Sequence, residues 1–292
     1  LINFVQLCIN GVAIGCIYAL VALGFVLIYK ATETVNFAQG DLMMLGAFFA
    51  YTTVGLWGWP FLVGVGAAVA GMMVLGALLD RIVLRPVVGQ PAFALVMLTI
   101  GIGTVARAMT GAMPGWGTET YSIPTPYAGN KVNLGELVIS VEHLVIISVT
   151  VGLCVFLFLF FRYTKLGVAM QASSQNQLAA YYMGIPVKTV FSLIWGLSAG
   201  VAGIAGILLA PITLVDVNLG FIGLKAFPAA VLGGFGSIPG AIVGGLIIGV
   251  IEALAGFYLP LGFKDIAAYV VLLVVLFVRP HGLFGQMARK KV

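Results

Sequence analysis

Residue patterns that do covalent chemistry are scarce in this chain. Its two histidines, His143 and His281, lie far apart, and no H-E-x-x-H, C-x-x-C or G-x-S-x-G pattern occurs. The phosphate loop G-x-x-x-x-G-K-[ST] is absent as well, so a Walker-type ATPase site is not expected here. The glycine-rich GGFGSIPG at 233–240 has no lysine and precedes an apolar run, so it reads as a tight turn. No catalytic residue and no metal site is assigned. What can do chemistry is charge placed inside apolar sequence, where each ion costs at least about 2.5–3.5 kcal/mol at a helix centre. Only Arg107 and Glu252 sit well inside apolar runs, each at a depth of roughly 9 Å from the nearer end at 1.5 Å per residue. Equal depth and opposite sign make an ion pair one reading. Independent snorkelling and a role in solute passage are the others.

The composition says what must position these residues. Of 292 residues, 62% are hydrophobic and 8% charged, against about 25% charged in a soluble domain. So few charges cannot cover a water-soluble surface. An all-α integral membrane protein is expected, a polytopic bundle forming a single transmembrane domain over 1–292. The net charge of +5 comes from only 14 Lys and Arg scattered between apolar runs, which argues against nucleic acid as a partner. Cys8, Cys16 and Cys154 all lie in apolar stretches, so no disulfide framework is implied. The first 29 residues carry no charge, so the basic region of a cleaved signal peptide is missing.

A spanning helix needs about 20 apolar residues. Runs of that kind lie at about 7–29, 60–79, 93–113, 143–161, 190–209, 238–258 and 257–278. The shorter stretches 42–56 and 219–235 are either short tilted spans or re-entrant half-helices. Ten of the 14 cations fall in the segments that the positive-inside rule puts in the cytoplasm: Lys30, the segments 80–91 and 162–189, and the C-terminal tail. The 114–142 loop, with Lys131 against Glu119, Glu136 and Glu142, is then external. Within a bundle of about eight to nine transmembrane helices, these assignments agree if the chain crosses about nine times with its N-terminus outside. Asp41, Asp80, Asp216 and Asp265 read as residues at span ends.

An internal echo divides the chain. TETVN at 32–36 leads through a short apolar stretch and Trp59-Pro60 into the glycine-rich FLVGVGAAVAG. TLVDVN at 213–218 leads through another and Ile238-Pro239 into AIVGGLIIG. The two copies face opposite sides, the signature of an inverted-topology repeat with broken helices flanking a solute path. The halves fall at about 7–113 and 190–278. Pairs of glycines four apart (Gly11 and Gly15, Gly196 and Gly200, Gly240 and Gly244, Gly245 and Gly249) predict close helix packing. In the external loop, VNLGELVIS alternates like a short strand, and a compact lid or hairpin is expected. Between the halves, 167–183 scans as one amphipathic helix, with Val168, Ala172, Ala179 and Met183 able to share a face. Gly184-Ile185-Pro186 ends it.

At this point the residues resemble a family. GVAIGCIYALVALGFVLIYKATETVNFAQGDLMMLGAF at 11–48 and YTKLGVAMQASSQNQLAAYYMGIPV at 163–187 resemble the membrane permeases of high-affinity branched-chain amino-acid ABC importers, the LivH type. SAGVAGIAGILLAPI at 198–212, GLKAFPAAVLGGFGSIPGAIVGGLIIGVIE at 223–252 and RPHGLFG at 279–285 extend the likeness to essentially the whole chain. The resemblance implies that the cytoplasmic segment 162–189 carries a coupling helix docking on an ATPase subunit, with Ala169, Ala172, Gln175, Asn176, Ala179 and Gly184 at the matching positions. Gln171 and Asn176 stand where many relatives carry an arginine and an acid, so docking here would rest on shape. It further implies a second related permease, hetero- or homodimeric, two ABC ATPases holding ATP and Mg, and an extracytoplasmic binding protein. The chain itself then needs no cofactor and is a non-catalytic subunit of the bacterial cytoplasmic (inner) membrane.

The function expected is ATP-driven import of branched-chain or other hydrophobic amino acids, or of related small amides or carboxylates. Asn36, Gln39 and Asn218, on the broken segments, are candidates for the path, with helix capping as their other reading. An ion-coupled secondary transporter is the alternative, since it would share the inverted repeat. Such a carrier needs intramembrane carboxylates or an ion site.

Overall fold

A computed structural model describes residues 2–87, 90–134, 137–260 and 262–285. The tail cations Arg289, Lys290 and Lys291 and the hairpin residues Gly135 and Glu136 lie outside them. The described residues are predominantly helical. Helix α1 (Ile2–Thr32) is followed by α2 (Gln39–Ala50), a π-helical turn (Tyr51–Leu56), α3 (Phe61–Leu79) and α4 (Ala92–Ala112). A hairpin, β1 (Lys131–Leu134) against β2 (Leu137–Ser140), precedes α5 (Val141–Tyr163). Short helices α6 (Lys165–Gln175) and α7 (Gln177–Tyr182) join α5 to α8 (Val187–Thr213). The last part is α9 (Leu219–Leu224), α10 (Ala226–Gly233), α11 (Ile238–Tyr258) and α12 (Phe263–Val278).

Among the described residues, six helices are long and apolar enough to cross a bilayer. The other three expected crossings are shorter: α2 with its π turn, the broken pair α9–α10, and α12, which starts only after Gly262 turns the chain at φ +98°. The 42–56 and 219–235 stretches are short helical segments, each preceded by an extended link that breaks it from the long helix before it. Helix α1 is apolar all round and buried over most of its length, the pattern of a central helix. Helices α3, α4 and α5 keep most of their apolar surface exposed and form the rim.

Packing follows the repeat. Each half runs long helix, extended link, short helix, turn, long helix, then a peripheral helix. Helix α1 lies along α11, and its counterpart α8 lies along α3, the counterpart of α11. The two long leading helices pack on each other. Five crossings separate the starts of α1 and α8, so the halves are inverted. The glycine pairs are where these helices meet. A Cβ on Gly11 or Gly15 would strike the α11 backbone at Val250 or Leu246, and one on Gly249 would strike Gly15. Gly76 of α3 lies against the Trp195 carbonyl of α8 in the same way. Lipid gives helices no hydrophobic reason to associate, so backbone-to-backbone approach supplies the dispersion contacts instead.

Each face of the bundle is stapled. On one, Tyr121 of the long loop pairs with Val215 through backbone N–H donors at 2.9 and 2.8 Å. Trp116 Nε1 donates to Thr52 Oγ1 at 2.7 Å, pinning the loop onto the end of α2. On the cation-rich face, Arg85 reaches Asp80 at 3.2 Å and the Lys188 carbonyl at 3.0 Å, tying the end of α3 to the start of α8. The 283–284 backbone donates to the Leu232 and Gly233 carbonyls at the end of α10.

Gly249→Leu should cost more than about 3 kcal/mol, since overpacking a backbone contact cannot be relieved by a rotamer change. Gly66→Ala, where a Cβ meets nothing within 4 Å, should be neutral or stabilising by up to about 1 kcal/mol from helix propensity. Thermal unfolding of the purified protein in detergent distinguishes the two, and similar midpoints for both variants would contradict this packing.

Candidate functional site

The two extended links are built alike. At the end of α1, Thr32 Oγ1 donates back to the Ile28 carbonyl at 2.9 Å, and Glu33 turns the chain with φ +54°. At the end of α8, Thr213 Oγ1 donates to Leu209 at 3.3 Å, and Leu214 turns it with φ +67°. Among the described residues these are the two non-glycine positions with positive φ. That conformation is costly for residues with a Cβ and persists only where the surroundings impose it. Beyond each turn, a short side chain satisfies the backbone that a helix would have covered. Asn36 Oδ1 accepts from Ala38 N–H at 3.0 Å, and Asp216 Oδ1 accepts from Asn218 N–H at 2.6 Å.

Asn36 and Gln39 are both buried, and they join three helices. Asn36 Nδ2 donates to Gln39 Oε1 at 3.2 Å, and Gln39 Nε2 donates to the Ser198 carbonyl of α8 at 3.3 Å. Ser198 Oγ lies within donating distance of both the Gly24 carbonyl of α1 (3.0 Å) and Gln39 Oε1 (3.1 Å). Asn36 also lines a cavity of about 310 Å³, with Thr34, Asp80, Thr99 and Gln177, on the cation-rich side of the link. It both caps the start of α2 and borders open space. Gln39 has no such exposure, and its place is in the packing of α1, α2 and α8. Asn218 is exposed on the opposite side and is not brought near Asn36 or Gln39 by any hydrogen bond.

The half-helices meet where they begin. A Cβ on Gly40 would strike the Gly220 carbonyl, and one on Gly223 would strike Gly40. This close approach buries Asp41, whose carboxylate lies between Gly220 of α9 and Gly103 of α4. Arg107 Nε is 2.7 Å from Asp41 Oδ1, and the guanidinium stacks 4.3 Å above the Phe221 ring. The two groups form a close charge pair, its carboxylate buried. Asp41 also forms part of the wall of an apolar cavity of about 870 Å³ between α2, α3 and α4.

Arg107 and Glu252 consequently do not pair with each other. Glu252 accepts from Tyr18 Oη at 2.5 Å and from Lys225 Nζ at 3.1 Å. Lys225 stands at the break between α9 and α10 and also donates to Asp265 at 2.6 Å. Equal depth along the chain misleads here, because Asp41 and Lys225 sit on half-helices whose ends lie inside the bilayer. Asp41 is thus not at a span end in the sense the sequence implied. The signal that could have found both is the shortness of the 42–56 and 219–235 stretches, which forces charged positions near their starts to be deep.

The connecting segment between α5 and α8 is the second site. It is two helices rather than one. Thr164 Oγ1 accepts from Gly167 N–H at 2.9 Å to cap α6, and Asn176 Oδ1 accepts from Ala179 N–H at 2.9 Å to cap α7. Asn176 has extended backbone, so the helical phase resets there. The buried face is Gly167, Met170, Ser173 and Ala180, whereas Val168 and Met183 are exposed. A Cβ on Gly167 would collide with Phe160 and Phe161, which sets a tight corner between α5 and α6. Gln177 Nε2 donates to the Ala31 carbonyl at 3.2 Å, linking α7 to the end of α1. Of the positions singled out by resemblance, Ala169 and Ala172 are half-buried, and Gln175, Asn176, Ala179 and Gly184 are exposed. The exposed tip also presents Leu178, Tyr181, Tyr182 and Met183, each 67–83% accessible. Gly184 ends the helix at φ +81°.

Comparison with known proteins agrees with this geometry. Residues 7–278 match the family model described as branched-chain amino acid transport system / permease component. The chain is 32% identical to the high-affinity branched-chain amino acid transport system permease protein LivH of Escherichia coli (strain K12), covering 99% of this chain and 98% of that one. It is also 32% identical, with the same coverage, to the high-affinity permease protein BraD of Pseudomonas aeruginosa. A solved chain of PsaBC from Streptococcus pneumoniae, in complex with Fab, has the same fold at a TM-score of 0.52 and 14% identity, covering 96% and 93% of the two chains.

Asn176→Ala should remove the α7 cap at a cost of about 1 kcal/mol, and Asn176→Asp should retain it. Amide hydrogen exchange over 177–182 reads this out: faster exchange in the alanine variant alone is expected, and equal protection in all three forms would contradict the cap.

Proposed function

The chain belongs to the family of branched-chain amino acid transport system permease components, and from that membership we propose that it is the membrane-spanning subunit of an ATP-driven ABC importer for branched-chain and related aliphatic amino acids. The observation that carries the proposal is the near-complete mutual coverage with LivH and BraD. A second related permease completes the channel, two ATPase subunits bind ATP and Mg, and an extracytoplasmic binding protein delivers the solute. The cation-rich face is then the cytoplasmic one of a bacterial inner membrane. This chain carries out no hydrolysis and holds no cofactor.

The α6–α7 segment is the part suited to receive force. Its exposed apolar tip, with Leu178, Tyr181, Tyr182 and Met183, offers a partner a non-polar surface. It is joined stiffly to α5 through the Gly167 corner, to α1 through Gln177, and to α8 through the Pro186 turn. Closure of an ATPase pair would thereby act on the two leading helices of both repeats at once. Rigid elements with two packings turn such a displacement into a shift between outward- and inward-open states. The link 33–38 faces the inner cavity and 214–218 the outer side, so each state would uncover one link.

In proteoliposomes holding the full complex, uptake of radiolabelled L-leucine should require ATP inside with the binding protein outside. Tyr182→Asp at the tip should lower it by more than about tenfold, since a charge in a desolvated interface is strongly unfavourable, with the chain still inserted and folded. Leucine uptake that persists without the ATPases would overturn the proposal and favour a secondary transporter.

A further inference from the structure

One outer face of the bundle carries charge at membrane depth without being closed off. Arg107 of α4 stacks on Phe221 of α9. Lys225, one turn beyond Phe221, reaches Asp265 in the first turn of α12 at 2.6 Å. Phe221 is exposed, and the side chains of Arg107, Lys225 and Asp265 remain 29%, 21% and 70% accessible. Together they form a strip across three helices. Lys264 packs along Gly256 of α11, which leaves Asp265 as the acid at the α12 edge. The rim helices α3 and α5 differ: between their end turns they carry no charge, and they present residues such as Val74, Val155 and Phe156. Those faces suit acyl chains. Ionic side chains within a membrane face protein or a water-filled space instead, so the strip needs a cover that lipid does not supply.

Resting on the importer reading above, we propose that the α4–α9–α12 face is where the second permease subunit, a chain of this same fold, packs against this one. The order of charge along the strip identifies the partner. A base, Arg107, stands at the α4 edge and an acid, Asp265, at the α12 edge, with α9 between them. A two-fold axis normal to the membrane turns the partner's strip end for end, so base meets acid at both edges. Shape follows the same order. The exposed side of α4 includes Gly101, Thr104 and Ala108, whereas that of α12 includes Tyr269, Val270 and Leu273. Small residues on one helix admit a bulky ridge of another at close range. Each α4 thereby receives the partner's α12, and the half-helix α9 faces its counterpart across the axis.

Photocrosslinking in the assembled importer tests this surface. The photoreactive residue p-benzoylphenylalanine is placed singly at Ile100 of α4 or Tyr269 of α12, which are exposed and share helix faces with Arg107 and Asp265. Val74 of α3 and Phe156 of α5, also exposed, serve as references. The complex of both permeases and the ATPases is purified, placed in lipid nanodiscs and irradiated, and adducts are identified by mass spectrometry. Ile100 and Tyr269 should each give a permease–permease adduct, and the two references should give none. Asp265→Arg sets a base against a base and should lower the Tyr269 adduct by about fivefold or more. Adducts of Ile100 and Tyr269 with lipid alone, a permease adduct from either reference, or a Tyr269 yield unchanged by Asp265→Arg overturns the surface. The first two outcomes are read with every charge intact. Copurification separates the two readings. Reference adducts in a complex that holds both permeases and the ATPases overturn this surface alone, whereas a chain that never copurifies with ATPases overturns the importer reading and this surface with it.

Discussion

A bilayer supplies no water to backbone N–H and C=O groups, and this chain begins two helices inside one. Every peptide group within the hydrocarbon must find its partner in the protein. The links 33–38 and 214–218 meet that demand with the same parts: a threonine bonding back to its own helix, a strained residue that turns the chain, and an Asn or Asp that accepts from the freed backbone. Burial of Gln39 against Ser198 and the mutual approach of Gly40, Gly220 and Gly223 then seat α2 and α9 on each other and on α8.

From this constraint the distribution of charge follows. Four of the ionic groups that a membrane would normally exclude are held in two clusters, one at the start of α2 and the other at the break after α9. Each acid has a base from a different helix. Asp41 is matched by Arg107 of α4 and Glu252 of α11 by Lys225, so the broken elements are tied to the straight ones by charge as well as by glycine contacts. The peripheral helices α4 and α12 both contribute to these clusters, through Arg107 and Asp265. The two halves thus keep their correspondence even where their residues differ.

Much of this was legible in the sequence, for physical reasons. Long apolar runs specify spans because length and hydropathy are the whole requirement, and the glycine pairs mark helix contacts because only glycine admits a backbone at that distance. The order Thr–link–short stretch–Pro–glycine-rich run betrayed the repeat although few residues recur. Depth was not legible. Counting residues from a span end places a side chain correctly on a full-length helix and wrongly on a half-helix, which is why spacing alone leaves an Arg107–Glu252 pair as one of three readings and sets Asp41 at a boundary. The break at Asn176 was hidden because Asn is tolerated within helices, and only its cap of Ala179 shows that it starts a new one.

The central claim is that two broken segments open to opposite sides of one bundle. Thr34→Cys, which lines the inner cavity, and Asn218→Cys, which is exposed beyond α8, test it with a membrane-impermeant thiol reagent in right-side-out cells and in inverted vesicles. Asn218→Cys is expected to be modified only in cells and Thr34→Cys only in inverted vesicles. Modification of both from the same side would contradict it.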